Sequence, residues 1–157
     1  MNITAEQLKQ HIHYNPDDGS FTRILKDGRT GRTNKKKNYA GIRISGKSYP
    51  AHRLAWLYMT GEWPSNFIDH INRDPSDNRW CNLRIATYAE NNRNKSIGTD
   101  NTSGYKGVSW HKRRNKWRSE IKVNKKAIHL GYYDNKEEAR DAYIQAAKKY
   151  HGEFASF

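Results

Sequence analysis

The chain has one cysteine, Cys81, in 157 residues. An intramolecular disulfide and a cysteine-rich zinc cage are both excluded, no structural zinc is expected, and a reducing cytoplasm is the expected home. No apolar run approaches the roughly 18 residues needed to span a bilayer. No basic amphipathic anchor or charged-then-apolar secretory signal stands at the N-terminus, so no membrane partner is expected. Acidic residues are also scarce: 16 Asp and Glu face 29 Lys and Arg, a formal charge of +13. Apolar residues make up only 34%, which leaves material for one modest domain or two small ones, each near the stability margin. Five Trp, ten Tyr and four Phe nevertheless argue against a disordered basic tail.

A positive excess of this size suits a polyanion, because Lys and Arg that neutralise phosphates release condensed counterions and drive association without reading sequence. Nucleic acid is therefore the leading partner class. The charge is unevenly spread: 14 basic and 9 acidic residues precede Asn92, whereas 15 and 7 follow from it onward. The shorter C-terminal part should supply most of the nonspecific grip.

Along the chain, Thr4 and Gln7 form a capping pair for a short first helix. Asn15 to Gly19 is a strong turn signal, with a strand from Ser20 to Leu25 beyond it. Lys26 to Asn38 reads as a basic loop. Tyr39 to Tyr49 looks like a hairpin turning at Ser45-Gly46-Lys47. A helix should run from about Ala51 to Thr60, with Pro50 in a first-turn position and Gly61 as its stop.

The stretch FIDHINRDPSDNRWCNLRIATYAENN, Phe67 to Asn92, carries the densest chemistry. A short strand ends in Asp69 and His70, and Asn72 to Asn78 is almost entirely turn formers. A second strand should return near Cys81 to Ile85, and Thr87 with Glu90 caps a helix whose first turn holds Asn91. Strand, loop, strand and helix would let polar groups converge in a way that suits phosphodiester hydrolysis. Asp69 offers a carboxylate and Asn91 an amide oxygen to a hard divalent ion, Mg²⁺ in the first instance and Mn²⁺ as the substitute. An imidazole such as His70 accepts protons near neutral pH, and Asn82 is placed to tie the loop so that His70 keeps its angle. His52, near the start of the preceding Ala51 to Thr60 helix, reads either as a packed residue or as one that touches phosphate or holds the site. Arg53 could clamp the scissile phosphate through its bidentate fork, Arg73, Arg79 and Arg84 are equally available, and nothing in the sequence ranks them.

Asp69-His70, Asn82 twelve positions after the histidine and Asn91 nine further on resemble the HNH family of ββα-metal nucleases, in its phage and intron homing branch. The wording DHINRDPSDNRWCNLRIAT and the preceding AHRLAWLYMTGEWP both carry the likeness. The resemblance implies metal ligation at the Asp69 and Asn91 positions, a general base at His70, a structural role at Asn82 and a homing activity. The metal-bearing core should lie at about residues 66–94.

After polar residues 95–103, which read as a linker, three strands are expected at Gly107 to His111, Lys116 to Val123 and Ala127 to Tyr132. A helix should start near Lys136, with Asn135 and Glu138 as its box and an apolar stripe of Ala139, Ala142, Tyr143, Ala146 and Tyr150. The sheet's other face should then present Arg, Lys, Trp and His to a DNA groove. Tyr105-Lys106-Gly107-Val108, Lys116-Trp117, Glu120-Ile121, Leu130-Gly131, Glu138-Ala139 and Ala142-Tyr143 are similar to the plant ethylene-response-factor (Apetala-two) DNA-binding domain. By position that resemblance puts Lys106, Ser109, His111, Lys122, Ala127 and His129 toward DNA. Of these only the lysines and histidines keep donors, with Arg113, Arg114 and Arg118 as compensating candidates.

The expectation is an α+β protein: an HNH nuclease domain over residues 1–94, then a small three-stranded antiparallel sheet with one helix over 104–157. It would act as a monomeric, metal-dependent nicking endonuclease on double-stranded DNA, with no obligate protein partner. The competing reading is a DNA-binding regulator that keeps the nuclease fold without cutting. An RNA-directed nuclease is disfavoured by the lack of RNP-type or KH-type motifs.

Overall fold

A computed structural model describes residues 2–25, 27–32 and 41–157 of the chain. The architecture is α+β, and the chain divides into two compact units, Met1–Asn91 and Asn92–Phe157.

The first unit opens with α1 (Ala5–His11), started by the Thr4–Gln7 capping box, in which each side chain satisfies the other's backbone N–H. β1 (Ile12–Tyr14), β2 (Phe21–Ile24) and β3 (Thr30–Arg32) then form an antiparallel sheet in that order. β3 corrects part of the Lys26 to Asn38 loop expectation: Arg23 pairs with Gly31 and Ile24 with Thr30, because the turn over Gly28 sends the chain back along β2. Lys26 and residues 33–40 lie outside the described residues.

β4 (Gly41–Ile44) and β5 (Lys47–Pro50) form a tight hairpin on Ser45 and Gly46, both at positive φ, the geometry that matches strand twist. α2 (Ala51–Thr60) follows directly. Pro50 closes β5 and occupies the N-cap rather than the first turn, and Gly61 in the left-handed region ends the helix. β6 (Phe67–His70) and β7 (Leu83–Ala86) make a second hairpin, and α3 (Tyr88–Asn94) starts behind Thr87. β7 begins at Leu83 rather than Cys81, because Trp80–Asn82 is wound into a 3-10 turn. Leu8, Ile12, Tyr14, Leu54, Ala55 and Leu57 form the centre of the core, each no more than 1% exposed, with Ile68 and Leu83 added from the second hairpin.

The β1–β2 turn is itself a structural support. Gly19 has φ +71, and a Cβ there would lie 2.5 Å from the Arg79 backbone N and 2.6 Å from the Asn78 carbonyl carbon. Beside it, Trp80 N–H donates to the Pro16 carbonyl at 2.9 Å, and the buried Tyr14 hydroxyl donates to the Asn78 carbonyl at 2.6 Å. The N-terminal turn is thus pressed backbone to backbone on the loop between β6 and β7.

In the second unit, β8 (Val108–His111), β9 (Lys116–Val123) and β10 (Lys126–Tyr133) form an antiparallel sheet with β9 in the middle. α4 (Lys136–His151) packs on one face, capped by Asn135, which accepts from Glu137 N–H at 2.8 Å. Its buried stripe is Ala139, Ala146 and Ala147, whereas Tyr150 is 41% exposed. The next full turn after Tyr143 brings Ala147 onto the sheet and swings Tyr150 off it. Alternation also corrects the position of the tryptophans: Trp110 shares the parity of buried Val108, and Trp117 that of buried Ser119. The two rings, 5.1 Å apart, therefore lie on the helix side, away from the basic face. Within the expected linker, the buried Ser103 hydroxyl donates to the Val108 carbonyl at 2.8 Å and the Asn101 amide to the Tyr105 carbonyl at 2.9 Å.

Gly19→Ala should lower stability by about 2 kcal/mol, combining a strained left-handed residue with displaced backbone. Gly46→Ala, also at positive φ (+83) but with open space around its Cβ, should lose only the conformational part. Urea midpoints of the two variants measure the difference; equal losses would remove the contact from the account.

Candidate active site

The β6–β7 register sets Asp69 opposite Arg84 and His70 opposite Leu83. Asp69 and His70 are buried, at 4% and 7% exposure, which is unusual for groups of this polarity unless they are partnered. Arg84 supplies a partner: its Nε and one terminal nitrogen both lie on Asp69 Oδ2, at 2.9 and 2.8 Å. Arg84, expected among the DNA-gripping arginines, is thereby engaged with the carboxylate.

The connecting loop, residues 71–82, is held from within by Asn82. Its Oδ1 accepts the Asn72 N–H at 2.9 Å, and its Nδ2 donates to Asn72 Oδ1 at 2.9 Å and to the Asp77 carbonyl at 2.8 Å. A residue buried to 5% exposure thus uses its acceptor and its donor group on the loop. Asp77 forms the second clasp, taking Arg79 through Nε at 2.8 Å and a terminal nitrogen at 2.6 Å, and Asn72 Nδ2 at 2.7 Å. The hydrogen bonds from Arg79 draw its carboxyl down to about 2. Arg73, expected on phosphate, stands exposed in the left-handed region with φ +66, its N–H donating to the His70 carbonyl.

Two residues around His70 were not assigned to it by sequence. Asn78, 6% exposed, places Oδ1 3.4 Å from His70 Nε2 while its Nδ2 donates to the Ser76 carbonyl at 3.3 Å. That second bond orients the amide so that its oxygen faces the imidazole. His52, in the first turn of α2, meets His70 edge to face with ring centroids 5.3 Å apart. Burial, then the neighbouring His70 and Arg53, push the His52 imidazole down to about 4. The sequence marked both positions, Asn78 as a turn former and His52 as undecided, but sequence spacing could not pair either with His70.

Arg53 is a strut: its terminal nitrogens donate to the Asn66 and Pro64 carbonyls, each at 3.3 Å, and it lies over Trp63. Asn91 sits in the first turn of α3, its N–H donating to the Thr87 carbonyl, and the Thr87–Glu90 box fixes where that helix starts. Among the described residues no three His, Cys, Asp or Glu side chains cluster around a common point. The available chemistry is one buried carboxylate, amide oxygens and imidazole. Such a set fits a hard, oxygen-seeking ion that takes few protein ligands better than an all-protein cage.

In the second unit, the sheet face away from α4 carries His111, Arg118, Lys122, His129 and Tyr132. His111 and His129 flank the Tyr132 ring at 5.1 and 4.5 Å, and the Arg114 guanidinium lies 4.7 Å over it. Arg118 reaches Glu120 at 3.7 Å, and its buried Nε has no hydrogen-bond partner among the described residues. Arg113 and Lys122 are exposed. Lys106 departs from the expected DNA-facing set: its ammonium donates to the Arg93 carbonyl at 3.0 Å and to Ser156 Oγ at 2.7 Å, tying the unit's own ends together.

A family model described as HNH endonuclease matches residues 49–93, and one described as AP2 domain matches residues 103–153. Protein 3.8 of Escherichia phage T7 is 35% identical over 107 residues, covering 68% of this chain and 88% of that protein. The chain belongs to the HNH endonuclease family. An uncharacterized HNH endonuclease of Acanthamoeba polyphaga mimivirus is 30% identical over 107 residues, 67% of this chain and 54% of its own length. The matched HNH segment takes in α2, the β6–β7 hairpin and most of α3, and the AP2 segment takes in the three-stranded sheet and α4. DNA is thus the partner to which both segments point. No helix among the described residues is long and apolar enough to cross a membrane.

Because His52 is held neutral below its unfolded value near 6.5, the unfolded chain binds more protons as pH falls. Stability should drop from about pH 6.5 to about 4, by about 3 kcal/mol at most, and level off below. Urea midpoints at pH 7, 5.5 and 4 should show this loss in the native chain and a flatter profile in His52→Phe. Parallel profiles would remove His52 as its source.

Proposed function

We propose that this HNH endonuclease nicks double-stranded DNA, in the manner of a homing enzyme, with His70 as general base and Asp69 and Asn91 as the protein ligands of a divalent metal, Mg²⁺ or Mn²⁺. The observation that carries the reading is the buried Asp69–His70 pair with its imidazole turned toward Asn78. Since Asn78 Oδ1 can only accept, His70 Nε2 carries the proton and Nδ1 keeps the lone pair. Nδ1 takes a proton from the attacking water as its oxygen bonds to phosphorus and the bond from phosphorus to the 3′ oxygen breaks. Asn82 and Asp77 hold the loop so that the imidazole does not drift from that line. A divalent ion bound at Asp69 and Asn91 would stabilise negative charge on the transition state and on the leaving oxygen. Arg84, already on Asp69 at 2.8 Å, holds the carboxylate in place beside that site.

Residues 1–94 form the nuclease domain, residues 95–103 the tether and residues 104–157 the reader, which grips duplex DNA through the basic face around Tyr132. A single active site in a monomer cuts one strand. Support for a reader comes from the charge left exposed there: Arg113, Arg114 and Lys122 all face solvent.

Supercoiled plasmid carrying a native locus, incubated with Mg²⁺, Mn²⁺ or EDTA, should convert to open circles only with metal. His70→Ala should reduce the rate by at least about 100-fold while leaving DNA affinity within a few-fold. Tight, salt-sensitive binding to that locus without cutting would instead support the non-catalytic regulator. Direct linearisation would point to paired active sites.

Arg113→Ala should lower the slope of log K against log salt by about one. Gel-shift titrations across salt concentrations measure it; an unchanged slope would take Arg113 off phosphate.

A further inference from the structure

Phe67 and Tyr88 have no role in the chemistry above, yet they are among the most exposed large apolar side chains of the first unit. Phe67 opens β6 at 47% exposure and Tyr88 opens α3 at 67%, with ring centroids 5.9 Å apart. The fold does not need them there. The cap of α3 is made by Thr87 and Glu90, and the strand entry is made by Asn66, whose Oδ1 accepts the Phe67 N–H at 3.2 Å. The core hairpin residue is the next one, Ile68, on the opposite face.

Their position relative to the site is informative. Alternation puts Phe67 and Asp69 on one face of β6, and the register sets small Ala86 opposite Phe67 and Arg84 opposite Asp69. With no bulky cross-strand neighbour at Ala86, the Phe67 ring meets Tyr88 instead. The aromatic pair stands two residues along the strand from Asp69, roughly 7 Å, about two base steps along a DNA strand. Guanidiniums bracket it: Arg84 on the Asp69 side, and Arg53 bonded to the carbonyl of Asn66, the residue just before Phe67.

We propose that Phe67 and Tyr88 form a wedge that stacks on a base step beside the scissile phosphate and locally unwinds the duplex. The inference rests on the reading of the hairpin as the DNA-cutting site. Aromatic faces next to cationic groups are what nucleic-acid surfaces use to hold unstacked bases, whereas phosphate contacts alone need no rings. A second copy of the chain is a poorer occupant: two side chains fall far short of the roughly 1,000 Å² of a stable interface.

The test separates the wedge from the chemistry by excluding metal. Closed circular plasmid is relaxed by a topoisomerase that works in EDTA, with saturating full-length protein present, and the topoisomers are resolved after deproteinisation. Native protein and His70→Ala should both leave the plasmid negatively supercoiled, the mark of unwinding. Phe67→Ala/Tyr88→Ala should lose at least half of that shift and bind roughly tenfold more weakly, since stacking on a base is worth that much. Tyr88→Phe should keep the shift. Tyr88→Ala alone, at an exposed position, carries the test if the double variant fails to fold. The proposal is overturned if native protein bound at saturation produces no shift, if the alanine variants unwind as the native protein does, or if the native chain is a dimer that these substitutions dissociate. Failure to cut with metal would count against the nuclease reading and leave the wedge result intact.

Discussion

One amide governs the site. Residues 72–78 are nearly all turn formers, and a loop of that kind has many nearly equal conformations unless its polar groups are bound to one another. Asn82 engages Asn72 through both its acceptor and its donor, and the Asp77 backbone as well, all while buried, so each alternative conformation would leave a polar group out of water and unpaired. The Asp77–Arg79–Asn72 clasp adds to this from the outer side of the turn. His70 inherits its orientation from a loop that has been closed in this way.

The loop is also braced from a distance. Tyr14 and Asn78 are 64 positions apart, yet the Tyr14 hydroxyl donates to the Asn78 carbonyl at 2.6 Å, and burial raises the phenol's pKa well above its ordinary value, which keeps the proton in place for donation. Gly19 brings backbone against backbone beside it, a closeness that any Cβ would prevent. The N-terminal hairpin, the weakest part of the chain as a source of motifs, is therefore the wall against which the β6–β7 loop rests. From the other side, α2 sets His52 against His70, so the imidazole is confined by three separate segments.

The second unit shows how charge divides between structure and contact. Lys106 and Arg118 look equivalent in a list of basic residues, but Lys106 is spent on Arg93 and Ser156, whereas Arg118 belongs to the sheet face where His111, His129 and Arg114 gather around Tyr132. The same division applies in the first unit, where Arg53 braces a turn, Arg84 neutralises a buried carboxylate and Arg73 stays exposed in the loop. A formal charge of +13 attracts a polyanion as a whole. Which cations meet it is a matter of packing.

Periodicity and turn chemistry are local, and they determined most of the elements: both capping boxes at Thr4 and Thr87, the Ser45-Gly46 hairpin, α2, the three strands of the second sheet and α4. The spacing from Asp69 to Asn91 likewise marked the HNH segment through its resemblance to that family, while the turn formers and the Thr87–Glu90 box located the loop and the helix start. Tertiary structure alone decided β3, whose partner strand supplies what its own residues do not announce, and it put Ala147 rather than Tyr150 under α4. It also turned Trp110 and Trp117 to the helix side, drew Asn78 and His52 to His70, and diverted Lys106 and Arg84 from the exposed surface. A hydrogen bond or ion pair between distant residues depends on where the chain returns in space, and residue identity sets only whether such a bond is possible when it does.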